Sequence, residues 1–251
     1  VRRLLGPPFT SNQTMMSNSG FPRWLTDADD LPEAARRFRE DGYIAVLLHE
    51  DCPPAGLPPF LPQEEALAPR IGRRGFLLRR QVARQLAEAI TGAAAATFTI
   101  DSEPGGSSRL SGPSVALYLS YSTRDRYSLI GFSSRPIGVD IELPVTDEHI
   151  PWNMLRQEER AYLAALSPSA RGSAFARLWS RKEALLKALK LGFFISPEVA
   201  RVPLNNPIKD SGFIYNFIEN NVTSTIEARE FQLNGPKGSW VALALLSGQA
   251  G

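Results

Sequence analysis

Two short segments constrain this chain more than anything else in it: Gly138-Val139-Asp140-Ile141-Glu142, and Trp179-Ser180-Arg181-Lys182-Glu183-Ala184-Leu185-Leu186-Lys187. In the first, Ile137, Val139, Ile141 and Leu143 alternate with Gly138, Asp140 and Glu142, the two-residue period of a strand with one buried face. Asp140 and Glu142 then share the other face, roughly 6 to 7 Å apart at the usual rise of a strand. Both side chains can converge on one hard cation from there. Taken alone, the pair fits better as the acidic outer face of a half-buried strand, and pairing with the second segment changes that.

The second segment reads as a helix. Phe175, Leu178, Trp179, Leu185, Leu186 and Leu189 fall on one stripe, and Arg177, Arg181, Ala184 and Ala188 fall opposite. Lys182 projects into the middle of the apolar stripe, with Glu183 and Lys187 along its edge one turn apart. A lysine there can snorkel past the leucines, and Glu183 with Lys187 can be an ordinary surface pair worth a few tenths of a kcal/mol. A buried lysine beside a glutamate at the mouth of a pocket instead neutralises phosphate oxygens and keeps a metal or proton acceptor close. Together the two segments carry carboxylates and lysines able to hold a magnesium ion and a pyrophosphate.

The ordered pair G-x-D-x-E and W-S-x-K-E-A-x-x-K resembles the signature of the Sfp-type 4′-phosphopantetheinyl transferases. That family carries a further glutamate between them, in an F-x-x-x-E-x-x-x-L helix, and Leu155 to Leu163 fits with Glu159 in register and Glu158 as the alternative. The resemblance covers Val115 to Leu191 well and the remainder loosely. It implies an α+β fold of two pseudo-twofold-related α/β halves with the active site in the cleft between them. Residues 21–134 would form the half that contacts coenzyme A phosphates, and residues 135–248 the half with the Mg²⁺ and catalytic motifs. Residues 1–20 read as a flexible extension, rich in Ser and Asn around Pro7-Pro8.

The implied reaction moves the 4′-phosphopantetheine arm of coenzyme A onto a serine of an apo acyl or peptidyl carrier protein and releases adenosine 3′,5′-bisphosphate. By resemblance, Asp140, Glu142, Glu183 and Glu159 bind Mg²⁺, Glu183 also accepts the serine proton, and Lys187 and Lys182 offset charge on the pyrophosphate. Arg74 and Arg84 fall nearest the places where family arginines approach the 3′-phosphate. The family's S-H-S motif, whose histidine contacts the nucleotide phosphate, stands here as Ser120-Tyr121-Ser122, which by resemblance puts Ser120 and Tyr121 on the coenzyme side, and its G-K-P stands as Ser111-Gly112-Pro113. Tyrosine donates one hydrogen bond to a phosphate but cannot become cationic as imidazole can. Arg109 and Arg124 are candidate replacements for the lost cations. These departures keep two rivals open: a non-catalytic relative that binds carrier or coenzyme without transfer, and a Mg²⁺-dependent pyrophosphate hydrolase.

Composition agrees with an intracellular enzyme. The 251 residues are 43% hydrophobic, enough for a substantial core. No apolar run approaches a membrane span. The single cysteine, Cys52, excludes an internal disulfide, and a reducing cytoplasm is the expected compartment. His49 and His149 lack metal-spaced partners, and His149 reads as solvated. Arg70, Arg73, Arg74, Arg79, Arg80 and Arg84 form a basic stripe, but a formal charge of +2 and no base-reading motif speak against nucleic acid. Family resemblance favours a monomer. Ile150, Trp152 and Met154 are candidate apolar anchors for a carrier, with Trp152 better read as core.

Periodicity predicts helices over 31–40, 71–90, 154–166 and 173–190. It predicts strands over 43–49, 96–100, 115–121, 127–132, 212–217, 223–227, 230–233 and 239–246, with Asn234-Gly235 as a turn.

Overall fold

The computed structural model describes residues 23–24, 30–102, 108–113, 115–191, 200–204, 213–219, 222–232 and 238–250. The extension expected over residues 1–20 and the turn expected at 234–235 lie outside the described residues.

The chain forms a mixed α/β fold with two largely antiparallel sheets. One sheet orders its strands β1-β2-β6-β5-β4-β3, from β1 (Arg23–Trp24), β2 (Tyr43–His49), β3 (Thr99–Ser102), β4 (Ser108–Gly112), β5 (Val115–Arg124) and β6 (Tyr127–Ser133). The other runs β7-β10-β9-β8, from β7 (Ile137–Glu142), β8 (Phe213–Glu219), β9 (Val222–Gln232) and β10 (Trp240–Ala250). Helices are α1 (Asp30–Asp41), α2 (Pro62–Leu67), α3 (Arg73–Thr91), α4 (Gln157–Ala164) and α5 (Pro168–Ala188).

Strand β2 shows how the layers stack. Ile44, Val46 and Leu48 pack with α1 and α3 residues such as Phe38, Val82 and Leu86. The alternate residues Tyr43, Ala45 and Leu47 pack with Ile137, Val139 and Ile141 of β7 and Val241, Leu243 and Leu245 of β10. A strand buried on both faces reads as a continuous apolar run, and Tyr-Ile-Ala-Val-Leu-Leu is one.

Strand β7 corrects the expectation of a half-buried element: all six residues are buried. Its apolar face enters the core between the sheets, while its acidic face lies under α5. Gly138 makes that approach possible, with Ala242 and Ala244 of β10 alongside it in the ladder. Ala184 and Ala188, placed by helical projection opposite the apolar stripe, are therefore fully buried against the sheet. Small side chains there let the helix sit close, and the larger Leu185 and Leu186 fill its flanks.

Other boundaries shift for local reasons. Helix α3 is bounded by Gly72 before it and Gly92 after it, both in the left-handed region that glycine adopts without penalty. Helix α5 begins earlier than its apolar pattern because Pro168 occupies the first turn, where its missing N–H is harmless. Residues 95–97 form a 3₁₀ turn before β3, and residues 152–154 another before α4. The two strands expected over 223–233 are one strand, β9. Strand β4 and helix α2 carry no strong periodicity and were not expected from it.

Candidate functional site

The acidic face of β7 meets the edge of α5 and the end of β5. Lys187 of α5 donates to Asp140 Oδ1 at 2.7 Å and to the Val139 carbonyl at 3.2 Å. Ser122 of β5 donates to the same Asp140 Oδ1 at 2.7 Å. Arg124, also of β5, grips Glu142 with both ends of its guanidinium, at 2.7 and 2.5 Å. Glu183 lies one turn before Lys187 and is half-buried.

Charge and burial compete here. Burial first, and the Asp140 carboxylate next, push the Glu183 acid above the usual carboxylate range, with Lys187 and Arg124 pulling against them. Glu142 is also raised by burial, against the opposing bond from Arg124. Three carboxylates thus share one poorly solvated region that favours added positive charge.

Asp140 carries the strongest sign of a ligand. It is 3% exposed, and while Oδ1 accepts from Ser122 and Lys187, the buried Oδ2 has no hydrogen-bond partner. A buried orphan oxygen costs about 1 to 3 kcal/mol and calls for an explanation. Carboxylate oxygens suit a hard cation such as Mg²⁺, and Asp140 Oδ2 is an available donor atom. Among the described residues, no three His, Cys, Asp or Glu side chains already stand at metal-site spacing. Lys187 and Arg124 instead carry the compensating charge on Asp140 and Glu142.

Glu159 and Lys182 find each other. Lys182 is fully buried and donates to Glu159 Oε1 at 2.5 Å. The second oxygen, Oε2, accepts from the Arg156 backbone N–H at 2.9 Å, closing the first turn of α4. Both oxygens of Glu159 are therefore taken by a clamp between α4 and α5. The expected roles of Glu159 in a metal shell and of Lys182 at pyrophosphate would each require this pair to open. Burial lowers the Lys182 ammonium from its ordinary range, and Glu159 opposes that shift. Glu158, the alternative, pairs with Arg156 on the surface.

Several residues expected on the coenzyme side are also occupied structurally. Arg84 is fully buried, bonding Glu64 at 3.0 and 3.1 Å and the Pro59 carbonyl at 2.7 Å, so it clamps the chain around α2 onto α3. Ser120 is 1% exposed and accepts from the Val139 N–H at 3.0 Å. Ser122 accepts likewise from Ile141 N–H at 3.3 Å. Strand β7 ends its own sheet, and these two hydroxyls satisfy edge donors that no neighbouring strand takes. Ser122 was missed in the sequence, although its two-residue offset from Ser120 is the available signal.

Tyr121 points to the opposite face from the serines. Its hydroxyl is buried without a hydrogen-bond partner, burial raises its pKa, and Arg79 lies 5.9 Å from the ring centre. Arg74 remains exposed near Asp51, at 3.6 Å. Arg109 stacks on Tyr118 at 4.3 Å, and Arg124 belongs to Glu142. Of the proposed carrier anchors, Ile150 is buried and Trp152 packs against the same cluster. His149 is exposed, as expected of a loop histidine.

Residues 136–238 match the model of the 4′-phosphopantetheinyl transferase superfamily. The superfamily segment contains Asp140, Glu142, Glu159, Lys182, Glu183 and Lys187. Ser120, Tyr121, Arg74 and Arg84 precede it. No curated protein matches the chain. No described helix is long and apolar enough to cross a membrane.

Proposed function

We propose that this chain is an Sfp-type transferase that moves phosphopantetheine from coenzyme A to a serine of an apo carrier protein with Mg²⁺. The reading rests chiefly on Asp140, whose buried and unpartnered Oδ2 stands in the superfamily segment.

Asp140, Glu142 and Glu183 would hold the ion, which supplies charge neutralisation for the pyrophosphate when bound. Glu183 accepts the serine proton, and its raised pKa suits a base that must hold a proton transiently. The serine oxygen attacks the β-phosphorus, the bond to the nucleotide phosphate breaks, and adenosine 3′,5′-bisphosphate leaves. Lys187, which donates to Asp140, would offset charge on the leaving oxygen. The active site would occupy the cleft between two pseudo-twofold-related halves, 21–134 and 135–248, and the enzyme would act as a cytoplasmic monomer. Arg74 is the expected coenzyme arginine that remains open to solvent.

One observation favours a second reading, a relative that binds carrier or coenzyme without transfer: Arg84 and Ser120 are committed to internal contacts. Intact-mass spectrometry of several apo carriers, incubated with the protein, coenzyme A and Mg²⁺, separates the two. A gain of one phosphopantetheine arm, lost without metal and in Glu183→Gln, supports transfer. No gain on fatty-acid or peptide-synthetase carriers, from a folded protein, supports the binder.

A further inference from the structure

We propose that Ser122 is a positioning residue for the divalent ion, acting through Asp140. The inference rests on the proposed ion site and adds a residue to it that lies outside the superfamily segment.

The Ser122 hydroxyl does two things at once. It accepts from Ile141 N–H at 3.3 Å, which fixes the oxygen relative to the β7 backbone, and it donates its proton to Asp140 Oδ1 at 2.7 Å. Lys187 donates to the same Oδ1 from the other element, at 2.7 Å. One carboxylate oxygen is thereby saturated from two sides, and the rotation of the carboxylate is set. The other oxygen, Oδ2, is left buried and without a partner. A carboxylate held in this way presents a single oxygen to a hard cation, so the ordering cost is met before the ion arrives. Groups that orient metal-ligating side chains typically matter by 10- to 100-fold in affinity.

Ser120 supplies an internal comparison. It makes the same kind of bond to β7, accepting from Val139 N–H at 3.0 Å, whereas the hydroxyl that donates to Asp140 Oδ1 is that of Ser122. Loss of either hydroxyl orphans one edge N–H of β7. Only loss of Ser122 also frees the carboxylate.

The test is calorimetric titration of Mn²⁺ and Mg²⁺ into the full chain without coenzyme A or carrier, alongside thermal unfolding of each variant. Ser122→Ala should bind Mn²⁺ roughly tenfold or more weakly. Ser122→Thr, which keeps the hydroxyl, should recover most of the affinity. Ser120→Ala should lower the unfolding temperature comparably while leaving Mn²⁺ affinity near the wild-type value. Asp140→Asn should abolish binding. Equal Mn²⁺ affinity in Ser122→Ala and wild type overturns the positioning role while the ion site stands. Equal weakening in both serine variants also overturns it, since strand support alone would then account for the effect. A wild-type protein that binds neither ion, or an Asp140→Asn variant that binds as well as wild type, overturns this inference together with the ion site beneath it.

Discussion

Gly138 of β7 lies beneath the Ala184 carbonyl of α5, so close that a β-carbon at 138 would stand 1.8 Å from that oxygen and 2.5 Å from the Ala188 nitrogen. Helix and strand backbones touch here, and that contact brings Lys187 within hydrogen-bond reach of Asp140. Both neighbouring atoms are backbone, so no side-chain rotation relieves the clash. Gly138→Ala should therefore force α5 off the sheet and cost about 1 to 3 kcal/mol or more in urea unfolding. It should also weaken Mn²⁺ binding. Unchanged stability would mean that the two backbones separate without penalty and do not set the site.

The Lys182–Glu159 pair is fully buried, and breaking one side leaves an uncompensated partner. Glu159→Gln or Lys182→Met alone should cost about 3 to 5 kcal/mol. The double variant Lys182→Met/Glu159→Leu should regain most of that, less about 1 kcal/mol for the orphaned Arg156 N–H at the start of α4. A double-mutant cycle in urea measures this coupling. Mn²⁺ affinity of the double variant should match wild type, and a clear loss would restore Glu159 to the ion shell.

In the proposed ion site, Arg124 and a divalent ion would compete for Glu142. The bond to Glu142 is the leading influence holding the Arg124 guanidinium in its charged form. Its side chain is 48% exposed, so solvent screening keeps the competition modest. Removing it in Arg124→Ala should tighten Mn²⁺ binding by roughly two- to fivefold. Weaker binding in that variant would show that Arg124 supports the site.

Burial raises the Tyr121 phenol above its ordinary value near 10, with Arg80 and Arg79 pulling the other way. A raised folded-state pKa means that the unfolded chain loses this proton first as pH rises. Stability from this group is fully present below about pH 10 and declines as pH climbs from there toward the folded value. Tyr121→Phe removes both the titration and an unpartnered buried hydroxyl. Its unfolding free energy should fall less than that of wild type over the alkaline range. Parallel curves for the two proteins would show that Tyr121 does not titrate on unfolding.

The alternation through Ile137–Glu142 and the stripe through Phe175–Leu189 were enough to read β7 and α5, because a two-residue and a 3.6-residue period are written in the order of residues. The same patterns named Asp140, Glu142, Glu183 and Lys187, which the structure gathers around one region. They misjudged which faces are buried. Ala184 and Ala188 project opposite the apolar stripe yet are buried, and β7 reads as half-buried yet is covered on both faces, because periodicity reports the contrast between two faces and not what covers them.

Partner choice is where residue order stopped being informative. Whether Glu159 meets a metal or Lys182, whether Arg84 meets a phosphate or Glu64, and whether Ser120 meets coenzyme or the Val139 N–H all depend on distances across elements far apart in the chain. The sequence by itself determined the strongly periodic elements, β7 and α5 among them, and the chemical types they carry, since both follow from local periodicity. Only the tertiary structure decided the pairings, because a buried charge or edge N–H takes whichever partner packing brings within about 3 Å, and Gly138 sets how close the packing comes.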